Sequence, residues 1–150
     1  MDLTGGYYDA GDNVKFEWPM SFTVALLSWA ASHYENELGR ANQLNDTLQA
    51  IRWGTDFIVK AHSSPMTLWT EVGNGDTDHA CWERPEDMDT PRTLKQINPS
   101  SPGTEAAADA SAALSSAAIA FRKIDPSYSK LLLEHSKVVS TNFGEYEISI

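Results

Sequence analysis

The chain has 150 residues, the length of one ordinary domain, and its 41% hydrophobic and 21% charged residues are a globular composition rather than a disordered one. A formal net charge of -10 without any Lys/Arg cluster argues against a nucleic-acid partner, and no apolar run approaches the roughly 20 residues of a membrane helix. Cys81 is the single cysteine, so an internal disulfide and a cysteine-built zinc site are both excluded.

In chain order, the first feature is the run Gly5-Gly6-Tyr7-Tyr8-Asp9-Ala10-Gly11-Asp12. No signal-peptide pattern precedes it. A motif bearing possible chemistry thus arrives by residue 9 with almost no scaffold before it, and we expect a piece of a longer protein. A first helix is predicted after Pro19, which suits a first turn, with Phe22, Leu26, Trp29, Ala30 and His33 recurring at spacings of three and four. Leu44, Leu48, Ile51, Thr55 and Ile58 predict a second helix. From Ser63 to Gly103 the chain is polar and proline-rich and contains Trp69 and Trp82. A loop this long inside a compact domain is usually functional, and its tryptophans argue for order, because they gain from burial or stacking. Thr67 to Val72 is the one stretch with a trace of strand alternation. Ala107, Ala110, Leu114, Ala117, Ala118 and Phe121 predict a third helix, whose small residues permit close approach to a neighbour. The fourth begins at Asp125-Pro126, an N-cap and first helical position, and carries Tyr128, Leu131, Leu132, His135 and Val139. The chain reads as all-α, with its site at the loop end of the helices.

Two constellations could carry chemistry. Asp9 and Asp12 stand three apart around Ala10-Gly11, and a turn at Gly11 would point both carboxylates into one small space. Hydrolysis of a glycosidic bond needs a carboxylate to activate water and an acid to protonate the leaving oxygen. In an inverting pair those groups stand about 6.5–9.5 Å apart, so Asp9 and Asp12 suit the joint holding of one water better than the two roles themselves. A Gly/Asp-rich turn capping a helix is the competing reading. The second constellation is His79 and Trp82, an imidazole for hydroxyl groups and an indole face for a sugar ring; a structural loop anchored by its tryptophan is the alternative. His33, His62 and His135 read as packing or surface residues. Asn74-Gly75-Asp76-Thr77-Asp78 resembles the opening of a calcium loop, but His79 and Pro85 occupy positions that need glycine and glutamate.

Four ordered motifs resemble the family 9 glycoside hydrolases, the endoglucanases. They are Asp2 to Phe16, Ile51-Arg52-Trp53-Gly54-Thr55-Asp56, Trp82-Glu83-Arg84-Pro85-Glu86-Asp87-Met88-Asp89-Thr90, and Pro102-Gly103 before the alanine-rich helix. The resemblance covers residues 2 to 136. It implies an (α/α)6 barrel (a six-hairpin toroid), incomplete here, with residues 1–150 forming part of one catalytic domain and no second domain. It implies inverting hydrolysis of internal β-1,4-glucosidic bonds in cellulose and related glucans. By the same resemblance Asp12 is the general base, Asp9 positions the attacking water, and His79 and Trp82 line glucose subsites. The partners implied are cellulose and cello-oligosaccharides, with neither nucleic acid nor membrane, for a protein that is secreted and monomeric when full length. The family's general acid, a glutamate, and its calcium ligands lie further along than Ile150. No cofactor is therefore expected within this chain, and calcium is expected in the full-length protein if at all. A truncated, non-catalytic product with at most weak glucan binding is the alternative. Asn74, Glu71 and Asp109 depart from the family's usual aspartate, glutamine and glutamate. The match fades after His135, and Ser140 to Tyr146 is shorter than the family's equivalent, as an altered splice or gene model would make it.

Overall fold

A computed structural model describes residues 1–144; Glu145 and Tyr146, the end of the segment where the resemblance fades, lie outside the described residues. Ten elements follow in order: β1 (Lys15–Phe16), α1 (Glu17–His33), α2 (Glu35–Arg40), α3 (Leu44–Ala61), β2 (Leu68–Val72), α4 (Gly75–Ala80), a 3-10 turn at Pro85–Asp87, β3 (Leu94–Ile97), α5 (Thr104–Phe121) and α6 (Pro126–Gly144). All four predicted helices are present. The short α2 and α4, too brief to show a period, are additions to them. Asn42, at φ 56, turns the chain between α2 and α3, a conformation that asparagine tolerates better than most residues.

The long polar segment is not one loop. It supplies two strands of a three-stranded antiparallel sheet in the order β1-β2-β3, with Lys15 opposite Val72 and Leu68 opposite Ile97. This small sheet sits beside the helices of a mostly helical fold, and its β2 falls on the Thr67 to Val72 stretch that showed a trace of alternation. The two-residue β1 cannot display alternation, and Leu94-Lys95-Gln96-Ile97 does not alternate in the sequence.

Helix α5 packs extensively against both α1 and α6, and α3 closes against α1 and α5. The buried stripe of α5 is the predicted one, Ala107, Ala110, Leu114, Ala117, Ala118 and Phe121. On α3, Leu48, Ile51, Thr55 and Ile58 are buried as expected, joined by Phe57. Asp125 caps α6, its Oδ1 accepting the Tyr128 N–H at 3.0 Å.

Helix α1 is rotated from its expected orientation. Phe22, Leu26 and Trp29 are 55%, 49% and 68% exposed, while Met20, Ser21, Val24, Ser28 and Ala31 are buried. Both faces of α1 are free of charge over most of its length, so periodicity marks a stripe without saying which face packs. Small side chains decide it here, because an alanine-rich partner such as α5 allows close approach only to other small residues.

Candidate active site

Residues 2–16 run across the second half of α3 before entering β1 and α1. The Gly6 N–H donates to Trp53 O at 2.8 Å. A Cβ at Gly6 would stand 2.8 Å from Phe57 Cγ and from Met20 Sδ, and its φ is 67, so contact and conformation both demand glycine. Lys15 fastens this segment from within. It is buried, and its Nζ donates to Leu3 O at 2.9 Å and Gly5 O at 2.7 Å while lying over the rings of Tyr8 and Phe57. Burial pushes its amine below the usual lysine range, and the nearby positive charges of Arg92 and Lys60 push the same way. The two carbonyls and two ring faces offset the cost of burying that charge.

The aspartates sit on the turn that follows. The Asp9 N–H donates to Val14 O at 3.0 Å and the Asp12 N–H to Asp9 O at 3.2 Å; Gly11, at φ 79, lets the chain reverse between them. Asp9 is exposed and borders a groove with Tyr7, Tyr8, Phe16 and Pro19. Asp12 is more enclosed. Its Oδ1 lies 3.0 Å from His79 Nε2, with the two side chains 14% and 59% exposed, and the bond requires the imidazole proton on Nε2. Trp82, 89% exposed, has its ring edge 3.8 Å from where a Gly11 Cβ would stand, so its indole rests against the turn and keeps apolar surface free. The structure thus brings together Asp12, His79 and Trp82, with Asp9 on the same turn. Among the described residues no hydrogen bond joins the Asp9 and Asp12 carboxylates.

Two further side chains, neither singled out from the sequence, hold this turn, while Lys15 fastens the segment before it. Asp78 on α4 is buried, and its Oδ1 accepts the Asn13 N–H at 3.1 Å. Arg92 donates through Nη1 to Asn13 O and through Nη2 to Val72 O, the latter at 3.4 Å. The only faint sign of Asp78 was its place next to His79.

Asp12, Asp78 and His79 could offer a cation two carboxylate oxygens and an imidazole nitrogen within 4.8 Å of one another. This set does not fit calcium, which takes about six to eight oxygens. The calcium-loop look-alike is a helix start: Asn74 Oδ1 accepts the Thr77 N–H at 2.9 Å and leads into α4.

Comparison with known proteins gives the chain's family. The family model described as glycosyl hydrolase family 9 matches residues 1–145. An endoglucanase of Phaseolus vulgaris is 63% identical over 137 residues, covering 91% of this chain and 28% of the relative. The structure of an endoglucanase from the termite Nasutitermes takasagoensis superposes with a TM-score of 0.94 at 43% identity, over 97% of this chain and 34% of that one. For the cellulase Cel9M of C. cellulolyticum in complex with cellobiose the values are 0.90 and 31%, over 99% of this chain and 35% of that one. The chain therefore spans about three tenths of the length of the curated relative and a third of each solved chain.

Proposed function

The chain belongs to glycosyl hydrolase family 9, and from that premise we propose that it forms the N-terminal part of the catalytic domain of an endo-β-1,4-glucanase with Asp12 as general base. Its mostly helical structure matches the family's (α/α)6-barrel domains over about a third of their length. In the proposed reaction a water molecule attacks the anomeric carbon of an internal glucosyl unit and gives its proton to Asp12. The departing sugar oxygen takes a proton from an acid outside the described residues. Inversion follows, because water enters on the face opposite the leaving group. Asp9 holds the same water from the other side of the turn. His79 Nε2–H occupies Asp12 Oδ1 and leaves Oδ2 to receive the proton. Trp82 offers an indole face to a glucose ring, and His79 its remaining ring edge to a hydroxyl.

The observation that carries this reading is the 3.0 Å contact between Asp12 and His79. It joins two motifs 67 residues apart into one wall that bears a carboxylate, an imidazole and an exposed indole. Asp12→Ala in the complete protein tests it, assayed on a soluble β-1,4-glucan. Loss of a general base lowers the rate about 10²–10⁴-fold; a variant that kept half its activity would remove Asp12 from the role.

Three lesser assignments accompany this one. Cellulose is an extracellular polymer, so we place the full-length protein in the secreted fraction. We expect a monomer there, since one barrel supplies a whole cleft. Any calcium requirement belongs to residues outside this segment, because the Asp12 cluster does not suit that ion.

A further inference from the structure

We propose that Asp78 and Arg92 are positioning residues that clamp the backbone of Asn13, one at its N–H and the other at its C=O, and thereby fix the carboxylate of Asp12. The proposal rests on Asp12 being the base, and it adds the means by which a surface turn is held still enough to serve as one.

The geometry is two-sided. Asp78 takes the N–H of Asn13, and Arg92 gives a hydrogen bond to its C=O. Asn13, the residue that follows Asp12, is therefore gripped at its N–H by one element and at its C=O by another, which holds two successive peptide groups. Those elements are separate parts of the chain, Asp78 on α4 and Arg92 on the stretch entering β3. Neither is held by the turn itself. Arg92 also reaches Val72 O on β2, which ties the clamp to the sheet, and its guanidinium lies 5.6 Å from the centre of the Tyr8 ring.

The route taken by Arg92 is built in. A Cβ at Gly73 would stand 3.1 Å from Arg92 Nη1 and 3.3 Å from Asn13 O, so a side chain there would crowd the bond. Gly73 is in turn bound to the strand beside it. Its N–H donates to Thr93 O at 2.8 Å and its carbonyl accepts from Thr93 Oγ1 at 2.9 Å. Arg92 precedes Thr93, so the contact that aligns Gly73 also aligns the arginine. Asp78 is likewise coupled to the site, because the next residue is His79, whose Nε2 meets Asp12 Oδ1. One helical turn thus holds the main chain after Asp12 through Asp78 and the side chain of Asp12 through His79.

Asp78 is 6% exposed, which leaves it little surface to offer a substrate. Its action runs through the backbone. A hydrogen bond to a charged acceptor is among the stronger ones a turn can have, and a displacement of about 1 Å in a reacting group can cost about 10²-fold in rate. The expected signature is a fall in kcat without a matching rise in KM.

The test uses the complete protein and compares Asp78→Ala, Asp78→Asn and Arg92→Lys, with Asp12→Ala in parallel, on a soluble β-1,4-glucan. Asp78→Ala should lower kcat about 10–100-fold with KM within about twofold. Asp78→Asn keeps an oxygen to accept the Asn13 N–H and should recover most of that loss. Arg92→Lys loses the forked donor and should lower kcat about tenfold, again with little change in KM. Melting temperatures alone would not distinguish a clamp from ordinary structural support, whereas the split between kcat and KM and the rescue by asparagine do. Unchanged kcat in Asp78→Ala, or an asparagine variant as poor as the alanine one, overturns the clamp. If Asp78→Ala does not fold, Arg92→Lys decides, and an unaltered kcat there overturns it. Full activity in Asp12→Ala would sink the base assignment and the clamp together; an inactive Asp12→Ala beside a fully active Asp78→Ala would sink the clamp alone.

Discussion

Between α5 and α6 the contact combines the edge-on ring pair of Phe121 and Tyr128 with small side chains, among them Ser111, Ser115 and Ser136 linked by hydroxyl contacts of 3.0 and 2.6 Å. At the opposite extreme stands the run from Leu3 to Val14, where buried Lys15 and Asp78 and part-buried Arg92 bind main-chain carbonyl and amide groups. The first region is held by close packing, which tolerates small shifts provided volume is conserved. The second is held by charged groups whose bonds are directional and costly to leave unmade. A helix interface of the first kind can drift by tenths of an ångström without consequence. A turn that sets a carboxylate 3.0 Å from an imidazole has less latitude, and the buried charge of Asp78 lies at that turn.

Phe57 is where the two regimes meet, and its removal should give the largest effect. It is fully buried on α3, and its ring lies beneath both the Gly6 crossing and the Lys15 ammonium. Phe57→Ala should cost about 3–5 kcal/mol of stability and lower kcat as well, because the segment that carries Asp9 and Asp12 loses its floor. Leu114→Ala, in the centre of α5, should cost about 2–5 kcal/mol and leave kcat unchanged. Denaturant unfolding and steady-state kinetics on both variants check the contrast. Equal kcat in the two would mean that the turn does not depend on the frame beneath it.

Glu17 sharpens the comparison, being a buried acid on the helical side without the partners that Lys15 enjoys. One carboxylate oxygen accepts from Ser21 Oγ, and the other has no partner among the described residues. Burial raises its pKa to about 8, and the negative charge of Asp109 adds to the rise; Asp109 itself accepts from Trp18 Nε1 at 2.6 Å. The folded value lies above the unfolded value of 4.5. The unfolded chain therefore releases its proton first as pH increases, and the stability is whole below 4.5 and lost progressively up to about 8. At about 1.4 kcal/mol per unit of pKa the loss amounts to a few kcal/mol. Melting temperature should fall steadily across that window, and Glu17→Gln should flatten the decline. A wild-type profile already flat there would show that Glu17 is solvated as it ionises.

What could be read from the sequence divides along the same line. Helices α3, α5 and α6 were legible because each has a single apolar face, and Asp125 announced the start of α6. The face of α1 was not, since Phe22, Leu26 and Trp29 form as good a stripe as the smaller residues that do pack. Asp12, His79 and Trp82 could be singled out in the sequence because their residue types match a chemistry and their flanks match a family. Arg92 was invisible and Asp78 nearly so. Both bind the backbone of Asn13, 65 and 79 residues away, and a residue that binds backbone leaves no pattern in the residue it binds. Strands β1 and β3, unlike β2 with its trace of alternation, were hidden for a related reason, because their ladder is made by main-chain groups common to every residue.

The smallest effect comes from a polar network inside the packed frame. Tyr128 Oη donates to Asp56 Oδ1 at 2.6 Å and lies 2.7 Å from Thr55 Oγ1, and the Arg52 guanidinium stacks 3.8 Å from the centre of its ring. Burial pushes the phenol above the usual tyrosine range, as does its hydrogen bond to the Asp56 carboxylate. The phenol proton goes to Asp56, so the single proton of Thr55 is divided between Tyr128 Oη and Ile51 O, the latter at 2.9 Å. In Tyr128→Phe, Thr55 can give that proton wholly to Ile51 O, the ring keeps its stacking on Arg52, and the half-buried Asp56 can turn to water. The cost should then be about 1–2 kcal/mol, with kcat untouched, measured by denaturant unfolding and the glucan assay. A substantially larger loss would mean that the bonds linking α3 to α6 reinforce one another. The frame would then depend on directional contacts much as the Asp12 turn does, and the contrast between the two regions would be one of degree.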